Sequence, residues 1–310
     1  MDALRVNDEV AEALSAGHPV VALESTIVTH GLPRPDNLAV ALECRAAVRR
    51  AGAVPATVAV VDGTVVVGLD DDVLADLAER PGVEKASTRE LAQVVARGAW
   101  ASTTVAATVH VAGLIGVEVF ATGGLGGVHR GAAESFDESA DLVALTRYGG
   151  VVVCSGVKAV LDVPATLERL ETLGVPVVAL GTDRMPGFWL SDAGVGAPAT
   201  ARSVEEVLDL LVAREALGTD DRALVVAQPV PAADAVDPQV HHRLLDQVLE
   251  SARVQRVSGA AVTPFVLARM HEGTNGATLA ANRSLAVANA ELAGLIAVAA
   301  RRRRGATRAP

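Results

Sequence analysis

Lysine is nearly missing from this 310-residue chain. Lysine and arginine together number 27, yet Lys85 and Lys158 are the only lysines and the other 25 are arginines. Cysteine is almost as scarce. Cys44 and Cys154 alone exclude a disulfide scaffold and a multi-cysteine zinc site. Aromatic residues make up 2% of the chain, which excludes the stacking platforms that single-stranded nucleic acids need. The N-terminus MDALRVNDEV has neither a basic segment nor an apolar one, so it does not read as a signal peptide. The longest apolar stretch, residues 105–122, is broken by His110, Glu118 and glycines and falls short of a ~20-residue membrane span. A cytoplasmic location without a membrane partner is expected.

What is present is a core of small aliphatic residues. Half of the chain is hydrophobic, which excludes disorder for most of its length and suffices for a large core. The net charge is −10, and setting aside the five arginines of 301–304 and 308 leaves −15 on residues 1–300. An acidic body argues against nucleic acid as a partner. The basic tail 301–310 reads as a solvated helix end, at the negative pole of a helix dipole. At roughly 150 residues per domain the length allows two. No repeat or clean linker interrupts it, so one α/β domain is expected over 1–310.

Val-rich runs alternate with helical patterns. PVVALEST reads as a buried strand, followed by a turn and a helix to about Arg50. Asp62-Gly63 between two Val-rich runs marks a hairpin. Ser87 and Glu90 have capping-box spacing before a helix. Helices are expected over 104–114, 137–147 and 164–173, and strands at VEVFAT, GVVVCSG, VPVVALG and ALVVAQPV. Residues 185–200 read as a long loop, and 237–304 as mostly helical. The expected fold is a three-layer α/β/α arrangement with a mixed, largely parallel central sheet.

Functional groups gather at the ends of the expected strands, where open α/β sheets bind ligands. Glu24, with His30 nearby, offers a carboxylate for proton transfer. The run Thr122-Gly-Gly-Leu-Gly-Gly-Val-His-Arg-Gly has the flexibility of an anion-binding loop but matches neither the Walker nor the dinucleotide pattern. Asp137 and Asp141 stand four apart, so on a helix they share a face suited to Mg²⁺ or Mn²⁺. Lys158 follows the strand VVVCSGV. Arginine supplies charge as well as lysine does, but only a lysine can lose its proton and attack a carbonyl. A chain that keeps two lysines among 25 arginines therefore invites a chemical reason for both. A sugar phosphate with a latent aldehyde is a suitable electrophile.

The motifs VALESTIVTHGLPRPDN, VEKASTREL, TTVAATVHVAGL, VFATGGLGGVHRGAAESFDESADL, CSGVKAVLD and VTPFVLARM together resemble the pseudouridine-5′-phosphate glycosidase family, from about His18 to Ala300. The resemblance implies reversible cleavage of the C–C glycosidic bond of pseudouridine 5′-phosphate to uracil and ribose 5-phosphate. It also implies a homotrimeric α/β fold and Mn²⁺, or another divalent metal such as Mg²⁺. By the same resemblance Glu24 is the proton donor and Lys158 the nucleophile. Lys85, Val105, Ser139, Ala140, Asp141 and Asn282 bind substrate, with Asn282 at the base, and Asp137 binds the metal. A C-glycoside has no leaving oxygen to protonate, so the paired-carboxylate hydrolysis of ordinary glycosides does not suffice. A ring-opened ribose held by Lys158 as an imine supplies the missing electron sink. Two stretches depart from the family pattern: residues 181–203 lack an arginine after Pro186, and Ala260 stands where a lysine is common. The competing readings are a Schiff-base aldolase or lyase on another sugar phosphate, and a non-catalytic sugar-phosphate-binding protein.

Overall fold

The computed structural model describes residues 3–257 and 262–308. Ala260 lies outside them. The chain opens with β1 (Leu4–Val6), α1 (Asp8–Ser15) and β2 (Val20–Leu23). A π-helical turn, Ile27–Gly31, then leads to α2 (Asp36–Arg50). The expected hairpin follows as β3 (Val54–Val61) and β4 (Thr64–Val67), antiparallel to each other. Asp62 and Gly63 both adopt positive φ, 47° and 73°, the turn whose twist matches that of paired strands.

Next come α3 (Asp71–Glu79), β5 (Glu84–Ala86), α4 (Thr88–Ala96), β6 (Ala101–Thr103), α5 (Val105–Leu114) and β7 (Val119–Ala121). The capping box of Ser87 and Glu90 opens α4 as its spacing predicts. Short helices α6 (Ala132–Ser135) and α7 (Ala140–Leu145) precede β8 (Val151–Cys154), α8 (Val163–Thr172) and β9 (Val177–Leu180). Beyond lie β10 (Ala199–Ala201), α9 (Val204–Leu217), β11 (Leu224–Ala227), α10 (Pro238–Val254), α11 (Val262–Gly273) and α12 (Ala277–Arg308).

The described strands form one sheet, ordered β1-β4-β3-β2-β7-β8-β11-β9-β10, with β6 beside β3 and β5 beside β6. Only the pairings of β3 with β4 and β6 are antiparallel. The first half of β3 runs parallel to β2, and its second half carries the antiparallel partners. Strands β2, β7, β8 and β11 are buried along their whole length, the sign of a sheet covered on both faces. Helices flank it in three layers, as expected. Helix α12 lies across β2, β7 and β8 and packs on α2 and α9, while α5 packs on β2 beside α4 and α7. The main hydrophobic cluster runs from Val10 to Ala297 and includes residues of the C-terminal helices, and a smaller one gathers Val28, Leu69, Leu74 and Leu77 under α3.

One expectation needs correction. The helix expected over 137–147 is confined to α7. Backbone bridges tie the segment before it to the glycine loop: the His129 N–H donates to Asp137 O and the Ser139 N–H to Gly127 O. Ser139 is the N-cap of α7, so Asp137 lies outside the helix and shares no face with Asp141. The long loop expected over 185–200 is present up to β10, and it buries Phe188 and Trp189. The basic tail is the exposed end of α12, as expected, where Arg303 pairs with Asp209 and Arg304 with Glu118. Among the described residues one helical stretch, Ala277–Gly305, is long and apolar enough to cross a membrane. Here it is a core helix against the sheet.

One side chain of α12 ties the strand ends together. Asn289 is fully buried, and its Nδ2 donates to Thr122 O (2.8 Å), Gly123 O (3.3 Å) and Ser155 Oγ (3.1 Å). Its Oδ1 accepts from Gln228 Nε2 (2.9 Å) and Ser155 Oγ (3.3 Å). These partners follow β7, β8 and β11, three adjacent strands. Removing the amide strands several buried polar groups at once, each a desolvation cost. Asn289→Ala is expected to lower unfolding free energy by about 2–4 kcal/mol. Chemical denaturation checks this, and a loss below about 0.5 kcal/mol would show that the amide is not a tie.

Candidate active site

Strands β2, β7 and β8 are neighbours and run parallel, so their C-terminal ends open at one edge of the sheet. The segments that follow them carry Glu24, Thr122 and, after Ser155, Lys158. Ser25 and Thr26 fix the exit of β2: Ser25 Oγ donates to Val58 O (2.6 Å) and Thr26 Oγ1 to Thr103 O (2.8 Å). Lys158 is held by its own backbone, whose N–H donates to Leu125 O of the glycine loop (3.0 Å). Lys85 arrives separately on β5, which β6 docks beside β3.

Two chambers meet at these residues, and Glu24, Thr26, Lys85 and Lys158 line both. The inner chamber, about 70 Å³, is walled by Ile27, Leu32, Phe188, Leu267 and Leu285, with His30 and Asn282 as polar exceptions. The outer one, about 460 Å³, is polar and holds Arg89, His129, Asp137, Ser139, Ala140 and Asp141. A larger surface groove of about 900 Å³ beside α8 and α9 contains none of these groups.

The charges act on one another in this partly dry space. Burial raises the Glu24 carboxyl above its ordinary range, against the opposing pull of Lys158 and of the hydrogen bond that Thr122 Oγ1 donates to Glu24 Oε1. Burial also lowers Lys85, and the like charge of Lys158 adds to that; Glu24 and Asp141 oppose it. His30 is lowered by burial and by Lys85. Neither lysine has an ion-pair partner within 4.0 Å among the described residues. A carboxyl whose burial favours its protonated form, beside lysines that no carboxylate ties down, is equipped to move protons and form a bond to carbon.

The site residues expected from sequence come together, with two changes of role. The Val105 side chain is 1% exposed and lines neither chamber. Its neighbour Thr104, the N-cap of α5, faces the outer chamber instead. The glycine loop is not an anion cradle along its whole length, because several of its amides bond within the protein. Leu125 N–H donates to Gly156 O, Gly126 N–H to Asp141 Oδ2 (2.8 Å) and Val128 N–H to Thr166 Oγ1 (2.9 Å). Glycine is required for approach. A Cβ on Gly126 would lie 2.2 Å from Ser139 Oγ, and one on Gly124 would lie 2.7 Å from Phe188. Asp141, 5% exposed, accepts from Gly126 and from Ala106 N (2.9 Å), so its carboxylate joins the loop to the start of α5.

Asp137 stands apart in the outer chamber, with His129 Nδ1 3.9 Å from Oδ2. Among the described residues no three His, Cys, Asp or Glu side chains cluster as a metal site. A single carboxylate still fits a hydrated divalent cation, which completes its shell with water and substrate phosphate. Sequence reasoning does not single out Phe188, Trp189 and Asn289, and names Thr122 only as the head of the glycine run, not as the partner of Glu24. Thr122, at the head of the glycine run, carried a signal in its place after a strand. The others carried none, because their roles come from long-range contacts.

The family model for indigoidine synthase A-like proteins matches residues 9–299. A pseudouridine-5′-phosphate glycosidase of Streptomyces griseus subsp. griseus is 56% identical over 292 residues, 94% of this chain and 90% of that protein. One of Salinispora tropica is 55% identical over 296 residues, covering 96% and 91%. The chain belongs to this enzyme family. Among solved structures, the prealnumycin C-glycosynthase AlnA in complex with ribulose 5-phosphate is similar with a TM-score of 0.90 and 32% identity, over 99% of both chains. An indigoidine synthase A-like protein of Thermotoga maritima has a TM-score of 0.86 and 37% identity, over 96% of both.

The raised Glu24 carboxyl predicts a trade between stability and function. Its folded pKa lies above the ordinary 4.5, so the unfolded chain releases this proton more readily. Ionisation then costs the fold stability as pH rises through and above that value, and costs nothing well below it. Glu24→Gln is expected to unfold at a higher temperature than wild type at pH 7, with the gap closing below about pH 4.5. Thermal unfolding across pH checks it. A variant less stable at pH 7 would show that the native carboxyl is not under desolvation strain.

Proposed function

We propose that this protein cleaves and forms the C–C glycosidic bond of pseudouridine 5′-phosphate in the cytoplasm, with uracil and ribose 5-phosphate as the other reactants. The observation that carries the reading is the pair Glu24 and Lys158 at the junction of an apolar chamber and a polar one. A flat, weakly polar base suits the inner chamber. The sugar phosphate suits the outer one, near Arg89, His129 and the start of α5.

In cleavage, the C1′–O4′ bond opens and O4′ takes a proton from Glu24. Burial keeps that proton on the carboxyl. The Lys158 amine bonds to C1′ and passes its extra proton to the Glu24 carboxylate, which delivers it to C5 of the base. The nitrogen lone pair then forms the C1′=N bond as the C1′–C5 bond breaks and its electron pair returns to the uracil ring. Water hydrolyses the imine, releasing ribose 5-phosphate and the amine. Lys85 contributes charge and hydrogen bonding without an ion-pair partner to compete for it. Ser139, Ala140 and Asp141 form the wall that faces the sugar phosphate, and the Val105 backbone N–H lies at the helix start beside them. Asp137 would hold Mn²⁺ or Mg²⁺, which supplies charge against the phosphate when bound.

An aldolase on another sugar phosphate would share Lys158 but has no use for an apolar second chamber. Chromatography of the protein mixed with pseudouridine 5′-phosphate and Mn²⁺, with and without EDTA, tests substrate and metal together. Metal-dependent release of uracil is expected. Folded protein that releases none would sink the reading. Lys158→Arg keeps the charge but loses the nucleophile, so kcat is expected to fall at least about 10³-fold. Borohydride should trap a ribose-phosphate adduct on Lys158; an active Lys158→Arg protein, or an adduct elsewhere, would refute the imine.

A further inference from the structure

We propose that Trp189 is a positioning residue that fixes which end of the Asn282 amide faces the inner chamber, and so makes that chamber a hydrogen-bond donor to a carbonyl of the base. The inference rests on the reading of the inner chamber as the base site.

An indole N–H can only donate, and a side-chain amide offers an acceptor at one end and donors at the other. Trp189 Nε1 lies 2.7 Å from the Asn282 side chain. The atom facing it is therefore Oδ1, and Nδ2 is turned the other way. Asn282 is 5% exposed and lines the inner chamber, and no acceptor among the described residues takes its Nδ2 hydrogens. The amide thus carries two donors into an otherwise apolar pocket. A uracil ring has two carbonyl oxygens to receive them.

The indole cannot turn away. Trp189 is fully buried, with Phe188 5.2 Å, His241 5.9 Å and His271 6.1 Å from it between ring centroids. His271 is itself tied by Nδ1 to the buried Thr278 Oγ1 (2.6 Å). Phe188, beside Trp189 in sequence, forms part of the chamber wall. The loop between β9 and β10 therefore supplies both the apolar contact for a ring and the residue that orients its polar partner. Without the indole, Oδ1 would be buried without a donor, and the amide would gain by turning that oxygen toward the chamber.

Steady-state kinetics in the synthetic direction test this on the full-length metal-loaded enzyme. For Trp189→Phe, the uracil KM is expected to rise about five- to tenfold, the value of one net hydrogen bond. The KM for ribose 5-phosphate and kcat should stay within about twofold, a split that loss of packing would not produce. An unchanged uracil KM in Trp189→Phe, with a raised one in Asn282→Ala, would overturn the role of Trp189 and leave the base site standing. An unchanged uracil KM in Asn282→Ala would overturn the base site itself, and the inference with it. Wild-type enzyme that makes no pseudouridine 5′-phosphate would instead defeat the proposed activity. If Trp189→Phe does not fold, Asn282→Asp decides. Its carboxylate still accepts the indole hydrogen but shows the chamber only oxygen. Uracil affinity should fall at least about tenfold, with the Trp189 indole resonance kept downfield in ¹⁵N-correlated spectra. Uracil affinity equal to wild type would overturn the proposal.

Discussion

Everything at this site depends on a buried carboxyl, Glu24, being held beside two lysines with which it forms no ion pair. An ion pair between Glu24 and a lysine would leave a spent carboxylate and a spent ammonium. Burial favours the protonated acid, while the hydrogen bond donated by the Thr122 hydroxyl holds the carboxyl in place without pairing it with an amine. Thr122 sits just past β7, and its backbone carbonyl is gripped by Asn289 from α12. The same amide grips Ser155, three residues before Lys158. Acid and amine are spaced by parallel strands, and the strand ends are locked by one buried side chain from the far end of the chain.

The glycine loop and Asp141 serve the same end. Asp141 is the one buried carboxylate in the outer wall, and its oxygens are taken by two backbone amides. Its charge still acts on Lys85 and Glu24, raising both, while its fixed bonds keep it out of proton transfer. The loop is glycine-rich so that backbone can lie against Ser139, Asp141 and Phe188, where a methyl group would collide. Backbone flexibility read from sequence as room for an anion is spent on close packing instead.

Local chemistry was legible in the sequence, and long-range chemistry was not. The Asp62-Gly63 hairpin, the capping box at Ser87 and the alternation of Val-rich strands with helices are short-range signals, and each appears in the fold. Glu24, Lys85 and Lys158 could be picked out because they are rare residue types or stand at strand ends. Asp137 and Asp141 show the limit. Their spacing fits a helix face, but Ser139 between them is a better cap than helix interior, and the glycine loop captures the residues before it. Trp189, Asn282 and Asn289 are joined to partners as far as 167 residues away, and no periodicity announces such contacts.

The polarity difference between the chambers bears on the chemistry as well as on recognition. A C–C bond breaks here only if the carbon left on the base can hold an electron pair and the carbon left on the sugar can give one up. The first requires an intact, correctly oriented pyrimidine, which an apolar slot with few polar contacts provides. On the proposed imine route, the second uses an amine at C1′. The inner chamber, about 70 Å³, is mostly apolar, whereas the outer one, about 460 Å³, is rich in polar groups. Lys158 stands where the two join.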